Sequence, residues 1–250
     1  MTPAMRTVGV DLSASPVKTA VAVVDWFDDR AELADLVVGA DDAEIRSLAD
    51  GATRIGIDSP FGWPDDFVDF VVAHHRDGLS PGRRLDDIAN RRPLALRRTD
   101  VWIAESGLGR PLSVSADQIA HVAFRCAGLL GDLGVDDRVD GWAVEAYPAG
   151  ALKHWGLTSR GYKRATNRAV LSELVEALQA AAPWLVLGDR VGRMRSDDDA
   201  FDAVITALIA RAAELGRTTL PSEGDRSVAV REGWIHVPDC ELHELGPVAG

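Results

Sequence analysis

Five carboxylates in this sequence are spaced so that folding could bring them to one site. Asp11, Asp58 and Glu145 each come at or near the end of a short apolar, β-branched run, which is the pattern of a buried strand. Asp199 and Asp202 open an apolar helix three residues apart, so they share one helical face. In α/β sheets, ligands usually bind at the carboxyl ends of the strands. We therefore expect the strand-end acids and the helical acids to meet there.

Carboxylates that meet in this way repel one another, and a divalent cation is the simplest group that offsets the repulsion. Oxygen ligands without a thiolate favour Mg²⁺ or Mn²⁺ over zinc. Two such ions about 3.5–4 Å apart can activate a water and stabilise the leaving oxygen of a phosphodiester. We therefore expect all five acids to be metal ligands and catalytic residues of a hydrolase. The plainer interpretation is that the acids from 197 to 202 only cap a helix.

Three basic residues are candidates for holding substrate phosphates: Arg97, Arg98 and Lys163. The two arginines belong to a cluster of seven between Arg76 and Arg98, although the whole chain has a net charge of −12. The members of this arginine cluster are at positions 76, 83, 84, 91, 92, 97 and 98. A solvated surface is the alternative interpretation of the cluster. Among the histidines, His154 follows the Glu145 strand and is the candidate auxiliary group.

The elements that must position these residues are those of a mixed α/β sheet. Strands are predicted at 7–12, 18–24, 33–38, 54–58 and 142–148, with an edge strand at 228–238. The first three form an antiparallel meander. Helices are predicted at 41–49, from 64, at 115–134, at 165–182 and at 197–210, two of them opened by capping boxes at Asp41 and Ser115. The stretch 78–112 has weak periodicity and is predicted to be an insertion or a mobile flap.

Composition limits the class of protein. The 250 residues can bury a full core as one large domain or two small ones. Cys126 and Cys240 form no CxxC pair, so a disulfide framework is not expected and a reducing cytoplasm fits best. No apolar run is long enough for a membrane span. The negative charge disfavours indiscriminate binding to nucleic acid, and the sequence has no GxSxG, P-loop, HExxH or GxGxxG motif.

Six motifs follow one another along the chain: VGVDLS, IGIDSPFGWP, RRTD, VEAYPAGAL, DDDAFDAVITALIA and REGWIHVP. In this order they resemble domain-of-unknown-function family 429 (DUF429), over residues from about 6 to 238. The resemblance implies an RNase H-like fold, of the RuvC-like branch, and a nuclease that uses Mg²⁺ or Mn²⁺. By position, Asp11 matches the first-strand acid and Asp58 the central-strand acid. Asp199 and Asp202 match the helical pair, and Glu145 matches an additional acid of the family.

The resemblance also sets the expected architecture and partners. It implies one domain over 1–250, with a core at about 6–62 and 140–238 and a large helical insertion at about 63–139. The sheet would have antiparallel strands 1–3 and parallel strands 4–5. Asp58 is one methylene shorter than the glutamate common in the RuvC-like branch. The expected partner is nucleic acid, DNA or RNA, with no membrane association, and a homodimer is one option.

Two other functions remain open from the sequence. The first is a catalytically inactive RNase H-like module that binds or scaffolds a partner and keeps its acids for architecture. The second, more remote, is a phosphotransferase of the actin-like superfamily. That class predicts a glycine-rich phosphate loop after the first strand, and residues 12–16 contain no glycine. The sequence does not decide between one and two metal ions, or between DNA and RNA.

Overall fold

Seven strands form one mixed sheet in the computed structural model, which describes residues 2–78 and 84–247. The strands are β1 (Met5–Asp11), β2 (Ala20–Trp26), β3 (Ala31–Val38), β4 (Arg54–Asp58), β5 (Ala143–Ala146), β6 (Leu185–Val186) and β7 (Ile235–His236). Their order across the sheet is β6-β3-β2-β1-β4-β5-β7. β2 is antiparallel to both β1 and β3, whereas β1, β4, β5 and β7 run parallel. The protein is therefore an α/β protein with the predicted antiparallel and parallel halves.

Helices cover both faces of this sheet. They are α1 (Asp42–Ala49), α2 (Asp65–Asp77), α3 (Ile88–Ala95), α4 (Arg98–Glu105), α5 (Ala120–Asp132), α6 (Pro148–His154), α7 (Arg168–Ala181), α8 (Val191–Met194), α9 (Asp198–Glu214) and α10 (Glu223–Glu232). α1 and α5 pack on one face, where Ile45 and Leu129 contact the core side chains of β1 and β4. α9 packs on the other face, beneath α6 and α7. No helix in the described ranges is both long and apolar enough to cross a membrane.

α9 lies unusually close to the sheet because two strand positions have no side chain. A Cβ built on Gly9 would overlap the backbone of α9 at Ala203 and Ala207. A Cβ built on Gly56 would come within 2.7 Å of the carbonyl oxygen of Thr206. All residues of α9 from Ala200 to Ala210 are buried, so this helix is enclosed on every side and forms the centre of the core. Its rotation is therefore set by backbone packing.

The structure corrects three predictions about the elements. The stretch 78–112 contains two helices, α3 and α4; α3 has no buried residue, whereas Ile103 of α4 is fully buried and belongs to the core. Residues 228–238 are not one strand: α10 continues to Glu232, and only Ile235–His236 pair with β5. Ser115 does not cap a helix, because its hydroxyl donates to the Leu94 carbonyl. Arg83 of the arginine cluster lies outside the described residues.

Candidate metal centre

Asp11 and Asp58 lie side by side at the carboxyl ends of β1 and β4. They are register partners in this parallel pair, so their side chains project to the same face of the sheet. Gly9 and Gly56 precede them by two residues and are also register partners, on the face that α9 covers. Both carboxylates therefore lie on the α9 side of the sheet.

α9 brings a third carboxylate, Asp202, to the same place. Asp202 is completely buried. Its Oδ1 accepts a hydrogen bond of 2.8 Å from the Tyr162 hydroxyl, and its Oδ2 lies 2.6 Å from the Lys163 ammonium. The Tyr162 ring meets the ring of Phe201 edge-on at 5.8 Å, which anchors it to α9. Both oxygens of Asp202 are therefore engaged by the segment that precedes α7.

Burial and mutual repulsion change the pKa values of these acids. Burial, followed by the charges of Asp202 and Asp58, raises the pKa of Asp11 well above its ordinary value. Burial raises the pKa of Asp58 to about 7, although Lys163 opposes the shift. Burial on its own lowers the pKa of Lys163, but the carboxylates of Asp202 and Asp58 outweigh it and raise that pKa above its ordinary value. Lys163 thus offsets only part of the negative charge of Asp11, Asp58 and Asp202.

Asp199 lies beside this group, in a separate cleft. The carboxylate cavity, of about 270 Å³, is lined by Asp11, Asp58 and Lys163 among others. The α9 cleft, of about 410 Å³, is lined by Asp199, Lys163 and basic side chains of the segment before α7. Asp199 Oδ2 is 3.8 Å from the Lys18 ammonium. Burial, together with Asp198 and Asp197, raises the pKa of Asp199. Lys163 therefore stands in the wall between the two spaces.

Glu145 lines the carboxylate cavity, but its carboxylate is engaged by an arginine. Arg97 Nη2 donates to Glu145 Oε1 at 2.7 Å and Nη1 donates to Oε2 at 2.8 Å. The backbone N–H of Phe61 also donates to Oε2, at 2.9 Å. Glu145 is therefore the neutralised partner of a buried ion pair. The structure does not bring it to Asp11 and Asp58 as a free ligand.

Neither predicted phosphate-binding arginine faces the carboxylates with a free guanidinium. Arg97 is 1% exposed, and its remaining donors go to the two carboxylate oxygens of Asp100 and to the carbonyl of Glu232. All five N–H groups of Arg97 are thus used inside the protein. Arg98 is exposed, but it pairs with Asp225 at 2.9 Å and lines a different cavity between α2, α3 and α10. His154 ends α6 and lines neither the carboxylate cavity nor the α9 cleft.

Four residues at this site were missing from the sequence interpretation. Tyr162 holds Asp202, and Lys18, Arg164 and Arg168 line the α9 cleft. In the described part of the chain, the side chains of Arg164 and Arg168 have neither an ion pair nor a hydrogen bond. The signal in the sequence was the run Gly161-Tyr162-Lys163-Arg164, which places two cations and an aromatic residue after a glycine.

The donor chemistry of the site fits a small divalent cation. Asp11 and Asp58 offer carboxylate oxygens with raised pKa values, and Mg²⁺ in proteins is typically held by one or two carboxylates together with water and substrate phosphate. Within residues 2–78 and 84–247, however, no group of three or more histidine, cysteine, aspartate or glutamate side chains is placed to hold an ion together. The engagement of Asp202 and Glu145 by cations is the physical reason.

These features define an α/β protein with a seven-stranded mixed sheet, in which buried carboxylates at adjacent strand ends face a buried helix. The chain belongs to the family described as protein of unknown function DUF429, whose family model matches residues 9–226. The comparisons with curated proteins and with solved structures found no match.

Proposed function

We propose that this protein is a divalent-metal-dependent nuclease of the RNase H-like, RuvC-like superfamily, which hydrolyses phosphodiester bonds in nucleic acid. The observation that carries the proposal is the meeting of Asp11, Asp58 and Asp202 on one face of the sheet. The sheet order β3-β2-β1-β4-β5, antiparallel and then parallel, supports the superfamily. Family membership supports it through the ordered motifs in which the three acids lie.

In this proposal, Asp11 and Asp58 hold Mg²⁺ or Mn²⁺ at the bottom of the carboxylate cavity. When bound, such an ion polarises the scissile phosphodiester and activates water as the nucleophile. Lys163 lies in the wall of the cavity, where its ammonium can pair with a phosphate oxygen while it remains beside Asp202. The Arg97–Glu145 pair holds the loop after β4 through the N–H of Phe61, and so positions Asp58.

The α9 cleft is the proposed path for the substrate backbone. Arg164 and Arg168 have no partner in the described residues, so phosphate groups can bind them without breaking an internal ion pair. Lys18 and Lys163 add two more cations to the same cleft. Asp197, Asp198 and Asp199 also line the cleft, so its attraction for a polyanion depends on Arg164 and Arg168.

The test is a cleavage assay on single-stranded, duplex and branched DNA and RNA, with Mg²⁺ or Mn²⁺ and with chelator. We expect metal-dependent cleavage that Asp11→Asn abolishes. The matched control is Asp28→Asn, which changes an exposed aspartate in the turn between β2 and β3 and should leave cleavage unchanged. If no substrate is cut, or if Asp11→Asn cuts as well as the unchanged protein, the proposal is wrong.

One observation favours a second candidate, the catalytically inactive binding or scaffold module. Asp202 already accepts a hydrogen bond from Tyr162 and is ion-paired with Lys163, as a purely architectural acid would be. This candidate predicts that the chain binds nucleic acid or a protein partner equally well with and without metal. Titration calorimetry with Mn²⁺ separates the two, because the inactive module should take up no ion at Asp11 and Asp58.

A further inference from the structure

We infer that Lys163 takes the place of a second metal ion, so that the centre binds one divalent cation, held by Asp11 and Asp58. The inference rests on the proposed function and changes its mechanism from two ions to one. The observations that carry it are the contacts of Asp202, the way the main chain holds Lys163, and the balance of charge in the cavity.

Asp202 is the acid that a second ion would need, and it is not available. One of its oxygens accepts the Tyr162 hydroxyl at 2.8 Å, and the other lies 2.6 Å from the Lys163 ammonium. Tyr162 itself is 1% exposed and packed against Phe201. Asp202 and Lys163 therefore form a pair of zero net charge at the side of the cavity.

The Lys163 side chain is 55% exposed, and the main chain on both sides of it is held by other contacts. On one side it follows the anchored Tyr162. On the other side Arg164 has a φ of +84°, in the left-handed region that residues other than glycine rarely adopt. The Asn167 side-chain amide donates to the Lys163 carbonyl at 2.7 Å, which fixes the turn. Such backbone strain persists only where the surrounding structure holds it.

The charges at the site balance for one ion and not for two. Asp202 is neutralised by Lys163, and Glu145 is neutralised by Arg97. Asp11 and Asp58 then carry two uncompensated negative charges, which one divalent cation cancels. A second divalent cation would leave an excess of two positive charges, with no further unpaired carboxylate among the described residues of the cavity to offset them. The remaining acid, Asp199, faces the α9 cleft and pairs there with Lys18.

The inference is tested by the number of Mn²⁺ ions that the full chain binds after metal has been stripped with chelator. Titration calorimetry of the unchanged protein in mildly alkaline buffer, without substrate, should give one equivalent. Lys163→Met removes the charge but keeps a side chain of similar length, so a second equivalent should appear. Lys163→Arg keeps the charge and should bind one. Lys153→Met is the matched control, because the Lys153 ammonium donates to a backbone carbonyl outside the site.

Each outcome has a separate meaning. Two equivalents in the unchanged protein would overturn the inference and leave the nuclease proposal in place. One equivalent of Mn²⁺ in Lys163→Met would also overturn the inference. If that ion bound more tightly than in the unchanged protein, Lys163 would instead compete with the ion at Asp11 and Asp58. If neither protein takes up Mn²⁺, the proposed function fails as well. Thermal melting in chelator shows whether Lys163→Met is folded. If it is not, the counts of the unchanged protein and of Lys163→Arg carry the test, because two equivalents in either would overturn the inference.

Discussion

The pKa of Asp58, at about 7, is the residue-level property with the clearest consequence. The carboxylate must be ionised to hold a cation, and burial favours its protonated form. Below that pKa a proton competes with the metal ion at the same oxygens. Protonation of Asp58 thus occurs within the pH range in which enzymes are ordinarily assayed.

We therefore expect the affinity for Mn²⁺ to fall as pH is lowered from about 8 to about 6, by up to about tenfold per pH unit once Asp58 is protonated. The sign follows from the raised pKa, because the free site binds a proton that the metal must displace. Calorimetric titration at a series of pH values measures the slope. An affinity that stayed constant over this range would show that Asp58 is already ionised without metal. Asp58→Asn should bind weakly and lose the part of the slope that protonation of Asp58 contributes, while Asp11 keeps its own raised pKa.

Residue types alone could not show which of Asp199 and Asp202 lies beside Asp11 and Asp58. The spacing of Asp199 and Asp202 puts both on one helical face, as the sequence predicts, but the rotation of α9 against the sheet decides which one is buried beside Asp11. That rotation depends on the contacts of Gly9 and Gly56 with the helix backbone. Two glycines inside predicted strands were the available signal, since they mark a close backbone approach.

At the level of elements, Arg97 is the connection between α4, β5 and α10. Its guanidinium joins Asp100 of α4, Glu145 of β5 and the last carbonyl of α10. A sequence pattern could not show this, because the partners are far apart along the chain. Arg97 and Arg98 are adjacent and identical in type, yet one is a buried structural cation and the other is on the surface.

This difference gives a matched pair of substitutions. Arg97→Met leaves two carboxylates buried without a partner, so it should lower the free energy of unfolding by about 3–5 kcal/mol. Arg98→Met removes an exposed ion pair and should cost no more than about 1 kcal/mol. Urea denaturation of both variants measures the difference. Equal and small costs would mean that the buried network contributes little to stability. Glu145→Gln in the Arg97→Met background should recover part of the loss.

The elements show how much of the fold the sequence predicted. β1 to β5, α1 and α9 were all predicted within a few residues, because an apolar run that ends in an acid, or an acidic cap before an apolar stripe, is a local pattern. α3, α4 and the boundary between α10 and β7 were missed. These short elements have weak periodicity. They are stabilised by contacts between distant segments, such as the hydrogen bond from the Ile235 N–H to the Thr99 hydroxyl. Contacts between distant segments also pair Glu145 with Arg97 and Asp202 with Lys163, which the sequence could not show.

For the whole molecule, the important property is where positive charge lies on an acidic surface. Most acids and bases near one another are paired, whereas Arg164 and Arg168 beside the carboxylate cavity have no partner in the described residues. An approaching polyanion is repelled by most of the surface and attracted to this cleft. Arg97 and Arg98 do not have this property, because Arg97 is paired inside the protein and Arg98 is paired with Asp225.

Replacing Arg164 and Arg168 together by Gln should weaken binding of an oligonucleotide and reduce the dependence of affinity on salt. The expected decrease in the slope of log affinity against log salt is about 0.7–0.9 for each phosphate group that no longer has an arginine partner. Fluorescence anisotropy in chelator measures this without cleavage. Arg226→Gln is the control, since Arg226 is an exposed arginine of α10 without an ion pair in the described ranges. Equal slopes for all three proteins would remove the α9 cleft from the substrate path.

The burial of α9 has a further consequence for how the protein is made. The helix supplies the central layer of the core. It lies late in the chain, at Asp198–Glu214, whereas the first strand of the sheet begins at Met5. While a ribosome synthesises the chain, β1 to β5 must wait with their α9-facing surface uncovered until most of the polypeptide has emerged. Long-range closure of this kind slows folding and exposes apolar strands to aggregation. The same late step brings Asp202 to Asp11, so a nascent chain cannot form the complete site before folding is nearly complete.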